Sequence, residues 1–295
     1  ESAIAIEAFR AGDLDIVNVD PSQIPAVTAD SALADQVVQY SVASTYNLAF
    51  NLSMEPFQDI KVRQAFSQAF DRETYCAVIR NGDCNPTLSW IPVGLPGSIE
   101  TDKYGFDPEA AKQALAESTY GSAEALPELT MYYNSNDSAN TARAEWVAGQ
   151  YKEILGVDIK LAPTEGTAWV ALRKDPATFP QIALVGGWIQ DYPDPQNWLS
   201  VYWTCDADFA QRFHYCNEEL DKILTEADTS TDQAKRLELY QQAGQMLVDD
   251  IPGPFLYNGS QVSLVSPNVT GYTPTALDVE WPGQFTSLLT LDITE

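Results

Sequence analysis

Two carboxylates, Asp191 and Asp194, stand among large aromatics in residues 182–199, Ile-Ala-Leu-Val-Gly-Gly-Trp-Ile-Gln-Asp-Tyr-Pro-Asp-Pro-Gln-Asn-Trp-Leu. Paired acids of this kind serve glycoside hydrolysis, one as general acid and the other as base or nucleophile. A loop of carboxylates and large aromatics could instead hold a small molecule. Nucleophilic catalysis has little to work with. His214 is the sole histidine. A Ser-His-Asp or Cys-His device therefore has one possible centre, beside Cys216, and no nucleophile motif surrounds it. No Gly-x-Gly-x-x-Gly or phosphate loop is present. Asp13, Asp15 and Asp20 are spaced loosely like calcium ligands but lack the glycine turn and terminal acid of an EF-hand. The sequence calls for no metal and no cofactor, and catalysis finds no support in it.

The elements around this stretch decide where it sits. The apolar run 182–185 has the length of a buried strand. Gly186 and Gly187 let the backbone approach a neighbour or ligand closely. Pro193 and Pro195 keep the next residues out of helix and stiffen them as a loop. Taken locally, two readings stand side by side: a ligand pocket, or a core turn with packed aromatics. The preceding chain alternates: strand 129–133, helix 140–155 stopped by Gly156, strand 157–161, helix 167–174, then strand 182–185. Such alternation implies parallel strands with crossover helices. It puts the loop at the carboxyl end of a strand, where open α/β sheets bind ligands.

Elsewhere, residues 2–10 read as helix and 14–19 as strand, with further strands at 37–42 and 46–52. Asp59, Asp71 and Asp107 can cap helices, the last followed by Pro108 and Glu109 in a strong helix start. Residues 217–227 form a helix, and Ser230 with Gln233 fits a capping box for the next one. Short strands are expected at 254–257 and 262–265.

The chain has 295 residues, enough for one large or two ordinary domains. It opens on Glu1-Ser2-Ala3-Ile4, without Met or signal peptide, and is read as a processed form or a piece of something longer. No segment has the long apolar run of a membrane helix. Acidic residues number 42 against 16 basic, a formal net charge of −26. Nucleic acid is excluded as a partner, since phosphate binding needs clustered Lys and Arg. The acidity fits solubility in a salty or extracytoplasmic medium better than preference for a cationic ligand. Four cysteines fall in two close pairs, Cys76 with Cys84 and Cys205 with Cys216, neither at Cys-x-x-Cys spacing. Two short-loop disulfides, and hence an oxidising compartment, are the simplest account; four reduced buried thiols are the other.

Several short pieces resemble one family. Residues 47–51, Asn-Leu-Ala-Phe-Asn, and 56–65, Pro-Phe-Gln-Asp-Ile-Lys-Val-Arg-Gln-Ala, resemble the strand-to-helix passage of extracellular solute-binding proteins of family 5, the peptide- and nickel-binding receptors of ABC importers. Phe70-Asp71-Arg72 continues that pattern. Residues 106–112, Phe-Asp-Pro-Glu-Ala-Ala-Lys, resemble a recurrent helix start of the family. Residues 187–195, Gly-Trp-Ile-Gln-Asp-Tyr-Pro-Asp-Pro, resemble its ligand-loop signature. Residues 236–243, Arg-Leu-Glu-Leu-Tyr-Gln-Gln-Ala, resemble its late helix. Cys205 and Cys216 resemble a disulfide of dipeptide-binding members. No piece is specific alone; they follow the family's order over nearly the whole chain.

The resemblance implies an α/β, periplasmic-binding-protein-like (type II) lobe with a parallel-rich sheet and flanking helices, plus remnant strands of a first lobe. Residues 1–53 would be the first-lobe remnant, 54–254 the second lobe and 255–295 the return to the first. Family members are considerably longer, which implies that the N-terminal part is missing here. The implied function is that of an extracytoplasmic substrate-binding component of an ABC importer, periplasmic or lipid-anchored at the outer face of the membrane. It would bind an oligopeptide, dipeptide or related small cationic solute in an interlobe cleft and deliver it to the permease. Asp191 matches the aspartate that pairs with the peptide's α-ammonium. Gly187 and Ile189 match positions whose backbone pairs with an extended peptide, and Trp188 and Trp169 match aromatics that wall side-chain pockets. Some peptide receptors carry a basic residue two places before Gly187, where this chain has Val185. That departure leaves open a different reading of the ligand's far end, or a ligand other than a peptide. The alternatives are a carboxylate-dependent hydrolase using Asp191 and Asp194, and a chain with structural or signalling contacts only.

Overall fold

The computed structural model describes residues 2–278 and 290–294, with the backbone alone at Val185. Residues 279–289 of the expected return segment lie outside the described residues. In chain order the elements begin with α1 (Ser2–Ala11), β1 (Ile16–Asn18), α2 (Ile24–Ala29), β2 (Val37–Phe50), α3 (Ile60–Gln68) and α4 (Arg72–Thr74), the last running into a π-turn, Tyr75–Ile79. Next come β3 (Cys84–Pro86), α5 (Pro108–Ala116), β4 (Leu129–Asn134), α6 (Ser138–Leu155), β5 (Ile159–Thr164), α7 (Gly166–Lys174) and β6 (Ile182–Ile189). The rest are α8 (Pro195–Trp198), α9 (Ser200–Trp203), α10 (Asp208–Phe213), α11 (Glu218–Thr229), α12 (Gln233–Asp250), β7 (Phe255–Val265), β8 (Val269–Thr270) and β9 (Asp292–Ile293).

These elements form two compact units. The first comprises Glu1–Ser44, Glu73–Pro86 and Tyr257–Glu295. Here β1 and β3 both pair antiparallel with β7, Ile16 opposite Val265 and Cys84 opposite Gly259. The helical spacing of α1 turns Ile6 and Phe9 onto Val17, Val27, Val262 and Leu264, an aliphatic core with one aromatic ring. Cys76 is bonded to Cys84, tying the π-turn to β3. Arg80 forms two hydrogen bonds with Asp83, each 2.7 Å.

The second unit comprises Thr45–Arg72 and Thr87–Leu256. Its strand order is β2-β6-β4-β5. Both β5 and β6 run parallel to β4, with Leu129 opposite Ile159 and Met131 opposite Ile182. The expected alternation therefore holds, and α6 and α7 are the crossovers between these parallel strands. Asp137 starts α6 by accepting from the Ala139 amide, and Gly156 ends it in the left-handed conformation, φ 75°. The core is aromatic. Phe50 stacks on Phe57 at 4.0 Å, and both meet the edge of Phe66. Trp90 donates to the Trp198 carbonyl at 2.7 Å and packs edge-on against Trp203.

Arg72, the last residue of the Phe-Asp-Arg piece, is buried in this unit and donates to the carbonyls of Phe255, Ser67 and Phe70. Burial pushes its pKa down to about 10. Three carbonyl acceptors and the nearby charge of Asp71 are what make this buried guanidinium tolerable. Cys205 is bonded to Cys216, closing a loop that contains α10.

Four local expectations change. β2 is one strand, not two, because Ser44 and Thr45, which interrupt the apolar pattern, are fully buried within it. β7 is likewise continuous; Asn258 is buried and donates to the Ser44 carbonyl. The cap of α12 is Asp232, which accepts from the Ala234 and Lys235 amides, whereas the Ser230 hydroxyl donates to the Asp232 carbonyl. Most relevant to function, β6 does not stop at Val185. It runs on through Gly186, Gly187 and Trp188 to Ile189. The glycines are there because β2 lies very close. A Cβ on Gly186 would come 2.6 Å from the Asn47 side chain, and one on Gly187 would come 2.7 Å from the Thr45 carbonyl oxygen.

Candidate functional site

The carboxyl end of β6 carries the site. Ile189 is 43% exposed there. Trp188 is half-buried, its ring edge-on to Tyr202 at 5.4 Å and to Phe209 at 5.2 Å. Its indole N–H donates to the Asn197 side-chain oxygen at 3.0 Å. The same oxygen accepts the Asp191 amide at 2.9 Å, and the Asn197 amide donates to the Asp191 carboxylate at 3.1 Å. Asn197 is fully buried. One neutral side chain therefore fixes the orientation of both Trp188 and Asp191. Asp191 itself is exposed, its charge offset by no cation in these contacts. Gln190, between them, is buried, and both of its amide atoms lack a hydrogen-bond partner among the described residues.

Asp194 has a different environment. It caps α8 by accepting from the Gln196 amide at 2.9 Å, and it receives two hydrogen bonds from Arg236, at 2.9 and 2.8 Å. The Arg236 guanidinium, with the Gln196 amide, holds this carboxyl below its usual range. Arg236 also donates to the Tyr240 hydroxyl, which donates to Asp228 at 2.5 Å; Ser200 donates to the same Asp228 oxygen. The hydrolase alternative thereby loses its second acid. Of the two acids such a reaction needs, the base or nucleophile must be an anion with a free oxygen, and both Asp194 oxygens are already held, by the Arg236 guanidinium and the Gln196 amide. The histidine route closes as well, since Cys216 is in a disulfide and His214 Nε2 faces the Pro176 carbonyl at 3.1 Å.

Behind Trp188 lies a cavity of about 40 Å³, whose walls include Gly186, Gly187, Arg173, Tyr202, Phe209 and Arg212. Burial lowers the pKa of Arg173 from its ordinary value, and the nearby charge of Arg212 lowers it further. Trp169 is buried on α7, with the Arg173 guanidinium 4.9 Å from its ring centre. The structure thus gathers Gly187 and Trp188 around shared aromatic neighbours, links Asp191 to them through Asn197, and sets Trp169 behind Arg173. The side chain of Val185 lies outside the described residues.

Asn197, Tyr202, Phe209, Arg173 and Arg212 were not singled out in the sequence. Asn197 carries no recognisable local motif. The one usable signal was the Cys205–Cys216 pair, since the loop it closes carries Phe209 and Arg212 to the cavity.

A sequence profile described as bacterial extracellular solute-binding proteins, family 5 Middle, matches residues 1–210. The chain belongs to this family. Among characterised relatives, the dipeptide-binding protein DppE of Bacillus subtilis is 28% identical over 290 residues, covering 93% of this chain and 51% of that protein. The oligopeptide-binding protein OppA of the same organism is 26% identical, covering 90% and 49%. Among solved structures, the substrate-binding protein CtaP of Listeria monocytogenes superposes with a TM-score of 0.85 at 25% identity, covering all of this chain and 59% of that one. A periplasmic oligopeptide-binding protein of Borrelia burgdorferi gives 0.80 at 26% identity, covering 100% and 57%. The chain spans about half the length of the curated relatives it matches. In this family 5 chain the family-like pieces divide by physical role. Arg72, Asp107 and Arg236 bind carbonyls, helix ends and a loop acid, whereas the 187–195 piece ends β6 at an exposed carboxylate.

Proposed function

We propose that this chain is the ligand-contacting part of an extracytoplasmic peptide receptor that hands its ligand to the permease of an ABC importer. The observation that carries the reading is Asp191. It is an exposed carboxylate at the carboxyl end of a parallel strand, oriented by Asn197 and flanked by Trp188. It suits the α-ammonium of a peptide, because a charge-assisted hydrogen bond to a pre-oriented acceptor loses little entropy on binding. Relatives named as oligopeptide- and dipeptide-binding proteins support the same ligand class. The backbone of Gly187 and Ile189 pairs with an extended ligand by strand addition, and Trp188 walls the first side-chain pocket. Trp169 acts from behind, by stacking on Arg173.

The second unit corresponds to the second lobe of the clamshell and the first unit to part of the first lobe. The two disulfides fit an oxidising, extracytoplasmic location, periplasmic or tethered by lipid. No helix among the described residues is long and apolar enough to cross a membrane. The protein binds and releases its ligand without chemical change. Calorimetry with short peptides on the full-length protein tests this reading: low-micromolar or tighter binding of at least one tripeptide is expected. Uniform failure across a broad peptide panel, with the fold intact, would refute it.

A further inference from the structure

The two disulfides stand in different surroundings. Cys76 and Cys84, in the first unit, are both buried, at 4% and 6% exposure. In the second unit Cys216 is exposed and Cys205 half-buried. A dissolved thiol must reach a sulfur to attack it, so the Cys205–Cys216 bond is the accessible one. It also stands beside the site. The loop it closes contains α10, whose Phe209 stacks on Tyr202 at 4.5 Å and meets the Trp188 ring at 5.2 Å.

The outer part of this loop is held locally. α10 is six residues long, too short to be stable by itself, and its N-cap, Ala207, offers no side-chain acceptor. The Ala207 amide donates to the Thr204 carbonyl, and the Arg212 guanidinium pairs with Asp208 within the helix. Ties to the rest of the unit lie near the two ends. The Cys205 amide donates to Asp221 at 3.1 Å, the Leu52 amide to the Phe213 carbonyl at 2.9 Å, and the Tyr215 hydroxyl to Asp250 at 2.7 Å. The disulfide joins those ends and so limits how far the segment carrying Phe209 can move away from Trp188.

We propose that the Cys205–Cys216 disulfide is a redox-sensitive clamp on the aromatic wall of the binding site. A dithiol reductant opens it while Cys76–Cys84 stays closed, α10 loosens, and ligand affinity falls. This rests on the reading of the chain as a peptide receptor. One thiolate of the reductant attacks the Cys216 sulfur and expels Cys205, which takes up a proton; the second thiol then displaces Cys216 from the mixed disulfide. The protein gains two thiols and the reductant ends as a disulfide. Trp188 loses the edge of Phe209 but keeps its hydrogen bond to Asn197. Asp191 is oriented by the same Asn197, outside the loop, and is unaffected. Reduction therefore weakens the wall and spares the ammonium anchor.

The test titrates the full-length protein with dithiothreitol and maps the freed cysteines by alkylation and mass spectrometry. Cys205 and Cys216 should be freed at reductant concentrations about tenfold or more below those that open Cys76–Cys84. Over that first step, tripeptide affinity by calorimetry should fall about three- to tenfold, the usual worth of one aromatic pair. The ratio between the free-amine and N-acetylated forms of the tripeptide should hold. Cys205→Ser/Cys216→Ser should start at the lowered affinity and not respond to reductant, whereas Cys76→Ser/Cys84→Ser should respond as the wild type does. Simultaneous opening of both bonds, or unchanged affinity once Cys205–Cys216 alone is open, overturns the proposal.

Amide hydrogen exchange supplies a readout without ligand. Selective reduction should quicken exchange about fivefold or more over residues 206–212 and leave β6 as it was. Unchanged exchange at 206–212, or exchange that rises throughout the second unit, refutes the clamp whether or not a peptide binds. Failure of every peptide to bind, together with the local quickening, would reject the peptide reading and keep the redox-sensitive loop.

Discussion

The two halves of the loop after β6 are built from the same residue types and do opposite things. Residues 190–192 carry Asp191, exposed and oriented only by the neutral amide of Asn197. Residues 193–199 carry Asp194, whose charge is matched by Arg236 and whose oxygens also cap a helix. The contrast separates an acid left available to a ligand from one that is already engaged. A carboxylate that already has a cation and an amide has little left to offer a ligand. A carboxylate held by a neutral amide keeps its charge available. Both halves share one buried hinge of interactions, because Asn197 lies in the second half and orients the first.

Breaking the first half should produce the largest effect, and only on binding. Asp191→Ala in the full-length protein should weaken peptide affinity by about 2–5 kcal/mol, the usual loss when one partner of a charge pair is truncated. Its thermal midpoint should stay within a degree or two, since the carboxylate is exposed. An affinity change below threefold would contradict the anchor assignment.

Gly187→Ala probes the strand that supports both halves. The added methyl would meet the Thr45 carbonyl oxygen at 2.7 Å, a backbone atom that yields little. A loss of about 1–3 kcal/mol is expected from such overpacking, read by urea denaturation. An unchanged midpoint would show that β2 and β6 are less closely packed than described.

The second half should fail in the reverse manner. Asp194→Ala removes a helix cap and leaves Arg236 unpaired, for a loss of about 1–2 kcal/mol, with affinity for peptide nearly unchanged. If Asp194→Ala instead abolished binding at constant stability, the division of the loop into anchor and support would be wrong.

The smallest effect is a matter of pH. The folded pKa of Asp194 lies below its ordinary 3.8, chiefly through Arg236. Its contribution is therefore complete above the unfolded value and disappears as pH falls through the lower folded one. Removing Asp194 should lower stability by its full contribution at neutral pH, and this deficit should shrink as pH falls below about 4, so that the acid limb of the stability curve is flatter. An unaltered acid limb would mean that Arg236 does not hold the carboxyl as an anion.

Much of the fold was legible before the structure. The alternation of residues 129–185 gave the parallel strands and their crossovers, because a helical period of 3.6 and a buried apolar run are hard to confuse at these lengths. Asp59 and Asp107 were readable as caps, and both accept amides at their helix starts. The breaks placed in β2, β6 and β7 were wrong for one reason. Polar or glycine residues usually interrupt strands, but here Ser44, Thr45, Gly186 and Asn258 are buried between close-packed backbones that satisfy or require them. At the site, the stretch around Asp191 was visible as composition, yet the different positions of Asp191 and Asp194 were not. That difference comes from Arg236, 42 residues beyond Asp194, and no local pattern encodes such a contact. Arg173 and Arg212 were invisible for the same reason, since only the folded chain brings α7 and α10 to one cavity.

The most direct test of the account compares a tripeptide bearing a free α-amine with its N-acetylated form, by calorimetry, on the full-length protein and on Asp191→Asn. The account predicts that the wild type binds the free amine at least a hundredfold more tightly, and that Asp191→Asn binds the two forms within about threefold of each other. Equal discrimination by both proteins would contradict the claim that Asp191 is the ligand's anchor.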